Sequence, residues 1–239
     1  MLSIRVDDLR KSFAGRPALD GLAAEFAPGT LHGLIGPDGA GKTTFLRLLA
    51  GLLRPTSGRV VYARDGRPVP FEDVRPRLAY MPQTQSLYAD LSVGEHLDFF
   101  RDLHAVPAGD YRPRRDRLLG LTRLAPFVDR PAGALSGGMY KKLGLMCALI
   151  ASPDVLLLDE PTNGVDPVSR RDFWELLYEL RGEGLLVLVA TAYMDEAERC
   201  DRVGVLDAGR WIANGPPRDL LEAAGVDGFA ALFLQQGAR

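Results

Sequence analysis

The chain has 239 residues, with 29 Lys and Arg against 31 Asp and Glu, 46% hydrophobic and 25% charged residues, and only 2 Cys and 3 His. That length allows one large domain or two small ones with a sizeable core, and the composition excludes long disorder, collagen and a coiled coil. A formal charge of −2 argues against an electrostatic grip on nucleic acid, and two cysteines without metal-ligand company exclude a disulfide framework.

The first residues, MLSIRVDDLRK, hold no apolar core, so no signal peptide is expected. Alternation through Ile4, Val6, Leu9 and Phe13 predicts a strand running to a turn at Ala14-Gly15. A second strand is expected at 22–26, ended by Pro28-Gly29, and a short apolar one at 31–36. Phe45, Leu46, Leu48, Leu49 and Leu52 are spaced for a helix over 43–53, stopped by Pro55 and Gly58. Residues 57–80 read as short strands and turns. Ser92 and Glu95 form a capping box for a helix through Phe99, Phe100 and Leu103. The stretch 109–117, GDYRPRRDR, reads as a basic loop, its charges a solvated surface.

Helical patterns return at 117–125 and 138–151. DVLLLDEP (154–161) and LLVLVAT (185–191) are buried strands. Between them, Asp166-Pro167 opens a helix with Phe173, Trp174, Leu176, Leu177 and Leu180 on its apolar side. A short helix at 195–200, a strand-turn-strand at 203–215 and a helical tail at 216–239 complete the chain. Buried strands alternating with helices imply an α/β core with a largely parallel sheet. No apolar run approaches the roughly 20 residues of a membrane span, so a cytoplasmic location is expected, with any membrane part supplied by another polypeptide.

GPDGAGKT (36–43) fits the phosphate-loop pattern and lies between a buried strand and an amphipathic helix. Gly36, Gly39 and Gly41 let the backbone around Pro37, Asp38 and Ala40 turn its N–H groups inward, and the helix behind adds its positive dipole end. Lys42 can reach the β- and γ-phosphates, and the Thr43 hydroxyl, next to Thr44, can ligate Mg²⁺. Asp38 is expected to point away from the phosphates. Asp159 and Glu160 end a buried strand, where α/β sheets bind ligands. Alone such a pair is a weak signal. Beside a phosphate loop it reads as a Mg²⁺-holding aspartate and a glutamate that orients or deprotonates the attacking water.

LSGG (135–138) precedes Asp159 by about two dozen residues. Phosphate loop, LSGG and DEP in this order resemble the nucleotide-binding subunits of ABC transporters, over nearly the whole chain. Ser136, Gly137 and Gly138 at a helix start would form a second anion-binding helix end. The resemblance implies that this signature closes over ATP held by a second ATPase domain. It also implies that Gln83 contacts Mg²⁺ and senses the membrane partner, that Phe13 stacks on adenine (a core or turn aromatic being the alternative), and that Asp166 helps link the two sites. The implied fold is a P-loop NTPase (RecA-like) core at 31–56 and 153–215. Around it lie an antiparallel β subdomain at 1–30 and 57–80, a helical subdomain at 84–152 facing permease subunits, and the tail at 216–239.

Two positions depart from the family pattern. Met139 stands where Gln usually follows LSGG, and Ala192 stands where a His usually bonds the γ-phosphate and the attacking water. None of His32, His96 and His104 lies near residue 192 in sequence. GPDGAGKTT, LSGGM and TAYMDEAE together resemble the first domain of drug-exporter ATPases with two domains fused in tandem, and the related ribosome-associated ATPase. The implied function is an exporter ATPase using ATP and Mg²⁺. The alternatives are a non-transport ABC ATPase on the ribosome and a mainly regulatory nucleotide-binding domain.

Overall fold

The computed structural model describes residues 1–84 and 87–237. In chain order the elements are β1 (Leu2–Phe13), β2 (Arg16–Phe26), β3 (Leu31–Ile35), α1 (Lys42–Leu49), β4 (Ser57–Arg64), β5 (Arg67–Val69), α2 (Phe71–Val74) and β6 (Leu78–Met81). There follow α3 (Val93–Leu103), α4 (Ala108–Thr122), α5 (Gly137–Leu149), β7 (Val155–Asp159), α6 (Pro167–Gly182), β8 (Leu186–Thr191), β9 (Arg202–Asp207), β10 (Arg210–Gly215), α7 (Pro217–Ala224) and α8 (Phe229–Gly237). Residues 85 and 86 of the expected helical insertion, and 238 and 239 of the expected tail, lie outside the described residues.

Two sheets organise these elements. A four-stranded antiparallel sheet has the order β2-β1-β4-β5, and a six-stranded sheet the order β10-β9-β3-β8-β7-β6. In the larger sheet β9, β3, β8, β7 and β6 run parallel, and only β10 is antiparallel. Strands β3, β7 and β8 are buried along their whole length, as strands covered on both faces must be. Their alternate side chains feed two cores. Leu34, Val155, Leu157, Leu186 and Leu188 pack toward α1 and the small sheet, while Leu31, Leu156, Leu158, Val187 and Val189 pack with the helices α3 to α6. This is the P-loop NTPase core with a β subdomain and an inserted helical subdomain. Among the described residues, no helix is long and apolar enough to cross a membrane.

Three segments differ from the sequence expectation. The helix at 43–53 stops at Leu49, because Gly51 takes a left-handed conformation (φ +66°) and Leu52 and Leu53 both bond back to the Arg47 carbonyl. Leu52, placed on the apolar face by spacing, is instead 60% exposed. Residues 78–80, expected in the small sheet, lie instead in β6, which pairs with β7, Leu78 opposite Val155 and Met81 opposite Leu158. Its two faces explain the ambiguity, since Tyr80 packs with the small-sheet core and Met81 with the helical one. Finally, 109–117 belongs to α4 rather than to a loop. Tyr111, Leu118, Leu119 and Thr122 bury one narrow face of α4, and the arginines between them pair outward, Arg114 with Asp110 and Arg117 with Glu183.

Candidate active site

β3 delivers the chain to the phosphate loop at the C-terminal edge of the large sheet. Gly41 caps α1 at φ +109°, and a Cβ there would come within 2.7 Å of the Ala18 carbonyl. Glycine is therefore required by both conformation and space. No side chain caps α1, so its first N–H groups are left for another acceptor. Lys42 is 6% exposed. Its Nζ donates to the carbonyls of Gly36 (2.7 Å) and Pro37 (3.1 Å) and stands 3.4 Å from Glu160 Oε1. Asp38 sits exposed at the loop tip. Residues 37–44 line an open cleft of about 390 Å³ together with Ala18, Gln83 and Glu160, within the size range of small-molecule sites.

Of the carboxylate pair, Glu160 lines the cleft and Asp159 does not. Asp159 is fully buried at the end of β7. The Thr43 hydroxyl donates to Asp159 Oδ1 at 3.1 Å, and the Tyr80 hydroxyl to Oδ2 at 3.0 Å. Burial pushes the Tyr80 phenol up to about 12, so at neutral pH it keeps the proton it donates. Glu160 has a left-handed backbone (φ +49°), pinned by its N–H bond to the Ala190 carbonyl at 2.8 Å. Burial raises the Glu160 carboxyl above its ordinary value, while Lys42 and the Ala192 N–H pull it back down. The result is a carboxylate short of solvent and held between a cation and an amide.

The other sequence candidates lie around this cleft at varying removes. Gln83 follows β6 by two residues and lines the cleft, and its carbonyl accepts from Lys141 Nζ of α5 at 3.3 Å. Phe13 is 46% exposed at the end of β1, with Lys11 Nζ 5.0 Å from its ring centroid. It does not line the phosphate cleft. Ser136 caps α5 by accepting from the Met139 N–H at 3.4 Å. Ser136, Gly137 and Gly138 do not line their own chain's phosphate cleft either. Asp166 caps α6. Ala192 is exposed beyond β8, and its methyl offers no hydrogen bond. His32 is buried in β3, where burial lowers it to about 4. His96 lies buried within α3, and His104 caps the end of that helix, so none of the three is carried by the segment after β8.

Two further groups escaped the sequence reading. Tyr80 precedes Gln83 in YMPQ, and only the strand register reveals that it reaches Asp159. Glu196 is fully buried and accepts from Thr162 Oγ1 (2.7 Å) and Trp174 Nε1 (3.0 Å). It thereby ties the segment after β8 to the loop after β7 and to α6. In DEAE it reads as an exposed helix residue, and no local pattern marks it otherwise.

A loop that offers backbone amides and one lysine to an anion, faced by a buried strand-end carboxylate pair, defines a P-loop ATPase. Comparison with known proteins narrows the class. The family model described as ABC transporter matches residues 19–163. The chain is 43% identical to the probable multidrug ABC transporter ATP-binding protein YbhF of Escherichia coli, over 99% of this chain but 41% of that protein. It is 41% identical to the Nod factor export ATP-binding protein I of Ralstonia nicotianae, over 91% of this chain and 68% of the relative. A solved ATP-binding subunit of an ABC transporter superposes with a TM-score of 0.85 at 28% identity, covering 98% of this chain and 99% of that one. The chain belongs to the ABC transporter family, as an ATP-binding and ATP-hydrolysing domain.

Proposed function

We propose that this domain powers an exporter-type ABC transporter and that, by itself, it hydrolyses ATP slowly. The observation that carries the reading is the convergence of Lys42, Thr43 and Glu160 on one cleft, with buried Asp159 bonded to Thr43 and Ala192 beside Glu160. In this reading the amides of residues 36–44 and Lys42 hold the ATP phosphates, and Phe13 stacks on the adenine. Glu160, destabilised as an anion by burial, takes the proton of the attacking water. The Ala192 N–H can still orient the Glu160 carboxylate, but the methyl group cannot bond the γ-phosphate, so one stabilising contact to the transition state is absent.

Mg²⁺ fits the same residues. The Thr43 hydroxyl lines the cleft and donates to the buried Asp159 carboxylate, so two hard oxygen ligands lie side by side. Few protein ligands are what Mg²⁺ takes when phosphates supply the rest, in keeping with the absence, among the described residues, of any cluster of three metal-binding side chains. Thr43, Asp159 and Gln83 would hold the ion, which neutralises phosphate charge when bound.

The signature residues Ser136, Gly137 and Gly138 serve the cleft of a second ATPase domain, with Asp166 between the two sites. Permease subunits hold the pair at the cytoplasmic face of the membrane. Both relatives cited above carry export or multidrug transport in their names, which supports the exporter direction. The partner domain is a second copy, a different chain or a tandem half of one polypeptide.

The test is steady-state ATPase activity of the purified domain, with Ala192→His as the probe. A charge-assisted hydrogen bond is worth about 1.5–3 kcal/mol, so restoring the histidine should raise the rate at least about tenfold. Brisk hydrolysis by the unmodified domain, unchanged by Ala192→His, would overturn the slow-engine reading. Salt-sensitive co-sedimentation with ribosomes and no co-purifying permease would overturn the exporter reading.

A further inference from the structure

We infer that Tyr80 is a positioning residue that fixes Asp159 for the metal ion; the inference rests on the Mg²⁺ reading above. Asp159 is fully buried, and each of its oxygens is claimed by one hydroxyl from a different element, Thr43 of α1 on Oδ1 and Tyr80 of β6 on Oδ2. The strand register explains why the tyrosine reaches so far. Tyr80 pairs with Leu157, and Leu157 shares its face of β7 with Asp159, two residues on. A slip of one residue would turn the phenol to the other face.

The bond at Oδ2 decides what Oδ1 does. With Oδ2 held from the sheet, the carboxylate is restrained about its last torsion, and Oδ1 stays directed at Thr43. Without the phenol, Oδ2 becomes a buried acceptor with no donor, and the carboxylate turns to find one. Hydrogen bonds of this kind to a ligating carboxylate are worth 10- to 100-fold in metal affinity. β6 is also the edge strand of the large sheet and carries Gln83 two residues beyond its end. One short strand therefore governs both the orientation of Asp159 and the entry of Gln83 into the cleft.

The experiment compares Tyr80→Phe with the unmodified chain, using a fluorescent ATP analogue titrated at increasing Mg²⁺ and again in EDTA. Tyr80→Phe keeps the ring packing and removes only the hydroxyl. The expected result is a 10- to 100-fold increase in the Mg²⁺ concentration needed for half-maximal effect on nucleotide binding, with affinity in EDTA unchanged and Tm lowered by the unpaired Oδ2. A purely structural role would weaken nucleotide binding equally in EDTA and in Mg²⁺, and would overturn the inference. So would an unchanged Mg²⁺ dependence. Thr43→Ala separates this failure from that of the underlying reading. If Thr43→Ala shifts the Mg²⁺ dependence and Tyr80→Phe does not, only the role of Tyr80 falls. If neither shifts it, the metal site itself is misassigned.

Discussion

Helices α1 and α6 follow two parallel strands of one sheet, β3 and β7, and they solve the same problem in opposite ways. The first N–H groups of any helix lack partners within the helix. At α6 the chain supplies them: Asp166 accepts from Val168 at 3.1 Å and Ser169 at 2.9 Å, and Pro167 brings no N–H to satisfy. At α1 it supplies nothing, since Gly41 has no side chain and no other side chain caps the helix. The start of α5 lies between the two, because Ser136 reaches the Met139 N–H only at 3.4 Å, beyond the usual range for such a bond. A helix start closed by its own carboxylate is architecture, and one left open beside a lysine is a receptor for anions. The loop joining β7 to α6 repeats the contrast, with burial raising Glu160 at one end and hydrogen bonds from the Ser169 side chain and from backbone N–H groups lowering Asp166 at the other.

The strongest way to break this contrast is Glu160→Gln. Loss of the base should cut hydrolysis by about 10²- to 10⁴-fold while leaving ATP binding intact, read by single-turnover assay and nucleotide titration. The same variant should raise the Tm of the nucleotide-free protein at neutral pH. A carboxyl whose folded value is raised supports folding below its unfolded value and loses that support as pH rises through the folded one. Gln removes the cost, so the gain in Tm should disappear in acid.

Lys42→Ala should come next. It removes a buried side-chain cation at the open helix end and strands Glu160, so ATP affinity should fall by roughly 10- to 100-fold. Asp166→Ala should have the smallest effect, a small loss of stability at pH 7 by denaturant titration, with little change in ATP binding to the isolated domain. The folded value of Asp166 is lowered, so its contribution is present above the unfolded carboxylate value and is lost as pH falls through the folded one. Mutant and parent should therefore converge in acid. Equal losses of ATP affinity in Lys42→Ala and Asp166→Ala would erase the distinction between the two helix starts.

Much of this was legible because it is local. The phosphate loop, the Ser92 capping box, the Asp166-Pro167 helix start and the apolar strands each declare themselves within a few residues. The segments that misled are those decided at a distance. Gly51 stops α1 by a backbone turn that the leucine spacing outvotes. β6 looks like one more strand of the small sheet until β7 is beside it. The apolar face of α4 is too narrow to show through its arginines. Tyr80 and Glu196 are polar residues recruited by partners 79 and 34 positions away, and no pattern in a single strand or helix reports such a pairing.

The two tryptophans stand behind the two helix starts contrasted here. Trp174 lies within α6, 1% exposed, its indole N–H bound to Glu196. Trp211 lies edge-on to Phe45 of α1 at 5.6 Å between ring centroids, only partly buried, its indole N–H on the Ala23 carbonyl. The intrinsic emission of the protein therefore combines a sheltered fluorophore on the closed helix with a more accessible one behind the open helix. Removing either by substitution with phenylalanine leaves a native optical reporter of the other, with no label attached.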